Sequence, residues 1–235
     1  MEEIKNTLFV VGMPIGNKED ITLRAIKVLK ESQGIITENQ NTTKKILNLL
    51  NINFEGKKLL TLGDFNNKNI EVFVNFIKKH KNVSLISEAG TPLISDPGFK
   101  LVNYIREKNM DIEVIGIPGP SAITTMLSIS GLPTDKFLFL GFLPKKKGKR
   151  IREIENLSKI NKEIKTTFVI YESKYRLIKT LEEIKAIYPQ AKISLGKELT
   201  KMHEKVYYGC IEDVLEKIKK TSLKGEFVIH LLICE

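Results

Sequence analysis

The strongest constraint on the fold is a regular alternation of short apolar segments with amphipathic segments in the first half of the chain. Five apolar segments have the length and composition of buried strands: residues 8–12, 34–37, 58–62, 83–86 and 112–115. Four segments between them have helical spacing of their apolar residues: a helix capped by Asp20, then 43–50, 69–80 and 99–108. This order predicts a mostly parallel sheet with helices on both faces.

The second half of the chain continues the alternation but joins some of its strands without a helix. Its predicted strands are 137–142, 167–171, 191–195, 206–209 and 227–233. Its predicted helices are 121–130, 150–160, 173–187 and 211–220. Directly joined strands are typical of antiparallel pairing, so we expect a mixed sheet here. A Pro118-Gly119-Pro120 turn separates the halves, which predicts two α/β domains, residues 1–117 and 118–235.

The chain is strongly basic, and part of the excess charge lies in one segment. Its 38 Lys and Arg residues exceed its 28 Asp and Glu residues, which gives a formal net charge of +10. This balance favours a polyanionic partner, most simply a nucleic acid, although a lysine-rich proteome produces it without one. Six of the nine residues from Pro144 to Arg152 are basic. Because Pro144 and Gly148 disfavour regular structure, we interpret this segment as a flexible phosphate-contacting loop rather than only a solvated one.

Composition disfavours several classes of protein. The longest apolar run, residues 137–143, is far shorter than the roughly 18 residues of a membrane helix. The first six residues lack the pattern of a signal peptide. The two cysteines, Cys210 and Cys234, and three scattered histidines provide neither a disulfide framework nor metal-ligand spacing. We therefore expect a cytoplasmic protein with no membrane association and no metal.

Three loops rich in glycine and proline each follow a predicted strand of the first sheet. They span residues 12–17, 87–98 and 116–122. Each loop alone is most simply a tight turn, but ligands of open parallel sheets bind at the carboxyl ends of the strands. The three loops together therefore predict a ligand site along one edge of the sheet. Neither GxGxxG nor GxxxxGK[ST] occurs, which disfavours a Rossmann-type nicotinamide enzyme and a nucleoside triphosphatase.

Seven stretches, in order along the chain, carry a family resemblance. They are Leu8 to Ala25, Gly90 to Gly98, Pro118 to Ala122, Gly131 to Pro144, Tyr171-Glu-Ser173 with Arg176, Glu198 to Lys201 with Glu204, and Lys224-Gly-Glu226. This ordered set resembles the ribosomal RNA small-subunit methyltransferase I family, which has the tetrapyrrole-methylase (class III) fold. Members of that family are bacterial enzymes that use S-adenosylmethionine to methylate the ribose 2′-hydroxyl of a cytidine in the decoding region of 16S rRNA. The resemblance implies two α/β domains, a cofactor cleft between them, a 30S substrate and a homodimer.

The resemblance also implies roles for particular residues. The methionine part of the cofactor is expected along Pro14, Gly90, Thr91 and Ile94, with Ser121 and Ala122 beside it, and the adenosine near Tyr171, Lys197 and Gly225. A ribose hydroxyl is a poor nucleophile that a nearby base or charge activates, and the candidates are Asp96, Glu198 and Lys201. The alternative is structural: Asp96 orders its own loop and Glu198 pairs with a lysine. The candidates for RNA contact are Lys145, Lys146, Lys147, Lys149, Arg150, Arg152, Arg24 and Arg176.

The chain departs from the family pattern at three places. Glu88 stands where the family usually has Asp, Asn39-Gln-Asn41 replaces an Asp-Thr-Arg, and Lys174-Tyr175 replaces a Pro-His. Two other functions therefore stay open. One is a tetrapyrrole methyltransferase on the same fold, which the basic segment disfavours. The other is a non-catalytic RNA-binding relative, which the departures at 39–41 and 88 allow, because broken local patterns mark altered function.

Overall fold

The computed structural model describes residues 6–62 and 70–234 of the 235-residue chain. The N-terminal residues 1–5 and Asn69, the predicted start of a helix, lie outside the described residues. The chain divides into two units, Met1–Ser121 and Ala122–Glu235.

Each strand of the first unit is a short, mostly buried apolar segment. The strands are β1 (Thr7–Val11), β2 (Gly34–Thr37), β3 (Lys58–Thr61), β4 (Asn82–Leu85) and β5 (Glu113–Ile117). They form one sheet in the order β3-β2-β4-β1-β5, and every neighbouring pair is parallel. The predicted parallel sheet is confirmed, with strand ends displaced by at most two residues.

The helices of the first unit cover both faces of this sheet. They are α1 (Leu23–Glu31), α2 (Gln40–Leu49), α3 (Ile70–His80) and α4 (Phe99–Glu107). Successive residues of a strand point to opposite faces, and the two halves of the core show this alternation. Ile35 packs in the cluster that contains residues of α1 and α2, whereas Ile36 packs with residues of α3 and α4. The helices therefore cover both faces of the sheet, and the loops at its carboxyl edge lie beyond the ends of the strands that carry them.

The N-cap of the first helix lies two residues later than predicted. Asp20 lies in a short 3-10 helix, Lys18–Asp20, whose N-cap is Asn17. The N-cap of α1 is Thr22, whose hydroxyl accepts a hydrogen bond from the N–H of Ala25 at 3.1 Å. The prediction of an Asp20 cap is wrong, because Asn17 and Thr22 each satisfy an N-terminus of their own.

The second unit contains a mixed sheet. Its strands are β6 (Phe137–Phe142), β7 (Thr167–Ser173), β8 (Lys192–Lys197), β9 (Lys205–Cys210) and β10 (Glu226–Leu232). Their order is β6-β7-β10-β8-β9, in which β6 and β7 are parallel and the other pairs are antiparallel. The predicted mixed sheet is confirmed. A register shift between Phe139 and Gly141 interrupts the pairing of β6 with β7.

One helix of the second unit begins earlier in the chain than predicted. The helices of this unit are α5 (Ala122–Ile129), α6 (Lys147–Glu163), α7 (Leu177–Ile187) and α8 (Ile211–Lys219). Residues Lys147 to Lys149, which precede the predicted helix start at 150, already belong to α6, so the interpretation of the segment up to Arg152 as a flexible loop is wrong. Pro144 lies before the helix, and Arg150 binds the carbonyls of Pro144 and Lys145, which fixes the entry of the chain. In the described part of the chain, no helix is both long and apolar enough to cross a membrane.

Candidate functional site

The three predicted loops meet at the carboxyl edge of the first sheet. Met13, after β1, exchanges backbone hydrogen bonds with Gly90, after β4, at 2.8 and 3.1 Å. The N–H of Gly12 binds the carbonyl of Ile117 at the end of β5 at 3.0 Å. The hydroxyl of Thr91 donates to the carbonyl of Pro120 at 3.5 Å. The predicted clustering of these loops is confirmed, because backbone contacts tie each of them to another.

Two glycines allow this close approach of the loops. A Cβ atom on Gly12 would lie 2.8 Å from both the Cα and the N of Gly119. A Cβ on Gly119 would in turn lie 2.8 Å from the carbonyl oxygen of Gly12. Both obstacles are backbone atoms that cannot swing aside. Glycine at these positions is therefore required by the contact between the loops.

The loop from Gly90 to Gly98 has an unusual backbone. Gly90, Leu93, Ser95 and Gly98 all have positive φ, at 74°, 73°, 68° and 119°. Left-handed conformations at non-glycine residues cost of order 1 kcal/mol or more each, and such strain is concentrated at functional sites. The side chain of Ile94 is 44% exposed between two of these residues. The loop therefore presents an exposed apolar side chain beside a glycine backbone at the sheet edge.

Asp96 stands out among the predicted catalytic residues because its environment disfavours its charge. Burial raises the pKa of its carboxyl group, the nearby Ser87 hydroxyl opposes this, and the charge of Glu88 raises the pKa further. Glu38, which directly follows β2, also has a raised pKa, caused first by burial and then by the charges of Asp96 and Glu88. A carboxylate whose pKa is moved towards neutrality is a better proton acceptor near pH 7.

Sequence reasoning did not select Glu38 as a site residue. Its position in the chain was the available signal. Glu38 directly follows β2 and Ser87 lies just after β4, and these two strands are neighbours in the sheet.

Glu198 and Lys201 belong to an ion-pair network that braces the loop between β8 and β9. Lys201 Nζ lies 3.0 Å from Glu198 Oε1 and 2.8 Å from Glu226 Oε2. Glu198 Oε1 also accepts the backbone N–H of Glu226 at 2.9 Å. Burial raises the pKa of Glu198, but the N–H of Glu226 and the Lys201 ammonium outweigh it, so the pKa is lowered. These contacts correspond to the structural alternative stated for Glu198.

The pKa of Lys201 is raised. Burial lowers it, but the hydrogen bonds to Glu226 and Glu198 outweigh burial. Both partners therefore hold their charges firmly, which favours a structural role over proton transfer at neutral pH.

Three predicted adenosine residues lie in the second unit in different surroundings. Gly225 has a φ of 122°, and a Cβ there would lie 2.4 Å from Cγ of Glu198, so this glycine makes room for the Glu198 side chain. The ammonium of the buried Lys197 donates to the carbonyl of Ser222. Tyr171 packs edge-on against Phe139, with ring centroids 4.9 Å apart.

The predicted RNA contacts fall into an exposed group and an internal group. The exposed residues are Lys145, Lys146, Lys147, Lys149, Arg152 and Arg24, the last of which also donates to the carbonyl of Gly116 at 3.4 Å. Arg150 is only 2% exposed and forms a bidentate pair with Glu183 at 2.6 and 2.8 Å. Arg176 is bidentate to the buried Glu172 at 2.8 and 3.0 Å. The buried position of Arg150 argues against the expected phosphate contact, whereas the side chain of Arg176 is 22% exposed beside its pair and stays a predicted RNA contact.

The fold defines the chain as an α/β protein of two units, the first of which has three loops tied together at the carboxyl edge of its sheet. A family model described as Tetrapyrrole (Corrin/Porphyrin) Methylases matches residues 7–215. Ribosomal RNA small subunit methyltransferase I of Hydrogenobaculum sp. (strain Y04AAS1) is 43% identical over 95% of this chain and 94% of its own. The protein of the same name from Rickettsia prowazekii (strain Madrid E) is 43% identical over 96% of this chain and 78% of its own.

Solved structures show the same fold. Uroporphyrin-III C-methyl transferase from Thermus thermophilus, complexed with S-adenyl homocysteine, has a TM-score of 0.65 with 16% identity, over 95% of this chain and 96% of that one. The chain therefore belongs to the tetrapyrrole methylase family and, within it, to the ribosomal RNA small subunit methyltransferase I group. The resemblance identified from the sequence motifs is confirmed.

Proposed function

We propose that this protein transfers the methyl group of S-adenosylmethionine to the ribose 2′-hydroxyl of a cytidine in 16S rRNA of the small ribosomal subunit, in the cytoplasm. The observation that carries this proposal is the similarity, at 43% identity over nearly the whole chain, to proteins named for small-subunit rRNA methylation. The exposed lysines at the start of α6 support an RNA substrate, because an acidic RNA backbone is attracted to such a segment.

The residues at the edge of the first sheet fit the methionine part of the cofactor. The backbone at Gly90 has a cradle that a Cβ would fill, with Cγ2 of Ile15 at 3.3 Å from that position. Beside it are the hydroxyl of Thr91, a polar group for the amino-acid end, and the exposed side chain of Ile94, an apolar surface for the thioether end. Pro14, Ser121 and Ala122 complete the proposed set, and Tyr171, Lys197 and Gly225 stay predictions for the adenosine.

Asp96 is the proposed general base. When bound, S-adenosylmethionine supplies a methyl carbon to which the hydroxyl oxygen bonds as the carbon–sulfur bond breaks. The carboxylate of Asp96 accepts the proton that leaves this hydroxyl, and its raised pKa suits that role. Glu198 and Lys201 were proposed for the same task, but their mutual pairing makes them the weaker candidates.

The substitution Asp96→Asn tests the base. We expect the transfer of labelled methyl to 30S subunits to fall by about 100-fold or more, while calorimetry shows unchanged cofactor binding. The matched control is Asp111→Asn, an exposed carboxyl of the same unit, which is expected to retain wild-type transfer. Wild-type transfer by Asp96→Asn would exclude Asp96 as the base.

Neutralising the lysines tests the RNA substrate. Lys145, Lys146 and Lys147 are exposed, so their replacement by Gln is expected to leave the fold intact. Methylation of 30S subunits should weaken strongly while cofactor binding stays unchanged. Unchanged methylation would contradict the proposed contact between these lysines and the RNA, whereas absence of 30S methylation by the wild type would make a small acidic macrocycle, the acceptor of a tetrapyrrole methyltransferase, the next acceptor to test.

We also propose a homodimer. Leu138 and Tyr207 pack towards the core of the second unit, so their strand neighbours point to the opposite face of the sheet. On that face Val206 and Tyr208 of the edge strand β9 are 40% and 48% exposed, and Phe137 of the other edge strand, β6, is 45% exposed. Large exposed apolar side chains are typical of interfaces. Analytical ultracentrifugation should report a dimer, and Val206→Glu should shift it towards monomer. A monomeric wild-type protein at micromolar concentration would contradict the proposal.

A further inference from the structure

A groove of about 370 Å³ lies between α6 and α7 of the second unit. It is lined by residues of these two helices alone. The apolar part of its lining includes Ile151 and Ile187, and its charged part includes Lys147 and Lys179. Its volume is at the lower end of the range for small-ligand sites. The groove is therefore large enough to accept a compact group such as a phosphodiester.

The carboxylates of the groove are already paired with other cations. Glu183 accepts two hydrogen bonds from Arg150, at 2.6 and 2.8 Å. Glu182 pairs with Lys219 of α8 at 2.6 Å. Both acidic charges of the lining are thus compensated from outside it, so they do not neutralise the lysines.

Lys147 and Lys179 are the uncompensated charges of the groove. Among residues 6–62 and 70–234, neither forms an ion pair with a carboxylate. Both lie near Glu183. The pKa of Glu183 is lowered, mainly by the hydrogen bonds from Arg150, and the positive charges of Lys179 and Lys147 lower it further. Two ammonium groups around one neutralised ion pair leave a local charge of about +2, which attracts an anionic group such as a phosphodiester.

Arg150 holds this arrangement in place. Its guanidinium donates to the carbonyls of Pro144 and Lys145, both at 3.0 Å, as well as to Glu183 of α7. It therefore connects the start of α6 to α7 and fixes the helix that carries Lys147 beside the helix that carries Lys179. Because the two helices are held side by side, the backbones that carry these lysines lose less entropy on binding an anion than they would on two separate mobile loops.

We propose that the α6–α7 groove binds a phosphodiester group of the RNA substrate between Lys147 and Lys179. The identity of the anion as RNA rests on the proposed function. The groove makes Lys179 a contact residue that the basic segment of the sequence does not include, and it extends the RNA-binding surface from the start of α6 onto α7.

The test compares two double variants with equal change of charge. The groove variant is Lys147→Gln with Lys179→Gln, and the control is Lys159→Gln with Lys162→Gln, two exposed lysines of α6 that do not line the groove. The full-length proteins are titrated with a fluorescein-labelled single-stranded oligocytidylate between about 50 and 200 mM salt, and methylation of 30S subunits is measured in parallel. Circular dichroism and cofactor calorimetry check that each variant is folded.

The groove variant is expected to bind the oligonucleotide roughly tenfold or more weakly at low salt. Its salt slope should be smaller by about 0.7, since the groove holds one phosphate and each phosphate contact on a single strand contributes about 0.7. The control should change binding by less than about twofold. Equal binding by the two variants would overturn the proposal. So would loss of 30S methylation by the groove variant with unchanged oligonucleotide binding, because the groove would then contact another component of the subunit. If wild-type protein does not methylate 30S subunits, the proposed function fails, and oligonucleotide binding alone decides whether the groove binds RNA.

Discussion

His230 is a buried imidazole in β10, and its replacement is expected to reduce the pH dependence of stability. In the sheet it lies opposite Val169 of β7 and Ser194 of β8. Neither of its ring nitrogens has a hydrogen-bond partner among the described residues. Burial lowers the pKa of His230 from 6.5 to about 4. The folded protein therefore holds this imidazole neutral at physiological pH.

The direction of the effect follows from proton binding. Between about pH 6.5 and pH 4 the unfolded chain binds a proton at this position and the folded protein does not, so the free energy of unfolding falls as the pH falls through this window. The two pKa values give a loss of about 2 kcal/mol between about pH 7 and pH 5, and about 3 kcal/mol once the pH is below both values.

The assay is urea unfolding followed by far-ultraviolet circular dichroism at the two pH values. In the variant His230→Leu, the loss of unfolding free energy between pH 7 and pH 5 should be smaller than in the wild type by about 2 kcal/mol. The variant His203→Leu, which removes an exposed imidazole, should behave as the wild type. Equal pH dependence of His230→Leu and the wild type would refute the reasoning, because it would mean that His230 has the same pKa in both states.

Three further changes test the loops, the ion pairs and the base. Gly12→Ala places a methyl group against the backbone of Gly119 and should lower the free energy of unfolding by about 1–3 kcal/mol, measured by thermal unfolding. Gly116→Ala is the control and should leave the stability unchanged, because a Cβ at Gly116 has no atom within 4 Å. Glu183→Ala leaves the buried guanidinium of Arg150 unpaired and should lower the free energy of unfolding by about 3 kcal/mol. Glu182→Ala breaks an exposed pair and should lower it by less than about 1 kcal/mol. Similar losses in the two variants would contradict this ranking. The rate of methyl transfer should fall on the acid side through a pKa above the ordinary 3.8 of an aspartate, because the Asp96 carboxyl must be ionised and its pKa is raised; a limb at or below 3.8 would contradict its role.

Local patterns predicted most of the fold. The strand at 34–37 and the strand at 137–142 have the predicted bounds, because each is a short apolar run next to a glycine or a polar turn. Apolar residues at helical spacing likewise located α3. The parallel sheet followed from the alternation, since a helix between two strands returns the chain to the starting edge.

Contacts between distant residues explain what the sequence could not predict. The start of α6 depends on Arg150, whose partner Glu183 lies 33 residues further along the chain. The need for glycine at Gly12 arises from Gly119, which only the fold brings close. Composition identifies such residues as basic or flexible, but it does not reveal whether a charge is exposed or paired inside the protein.

The most direct test of the central claim is incubation of the purified protein with radiolabelled S-adenosylmethionine and unmodified 30S subunits, followed by nuclease digestion and separation of the nucleosides. The proposed function predicts label in 2′-O-methylcytidine, and at least about 100-fold less of it when the Asp96→Asn variant replaces the wild type. Label in a base-methylated nucleoside would contradict the proposed acceptor. No label in the RNA, from protein that binds the cofactor in calorimetry, would contradict the substrate and would identify the departures at Asn39-Gln-Asn41 and Glu88 as changes that matter for it.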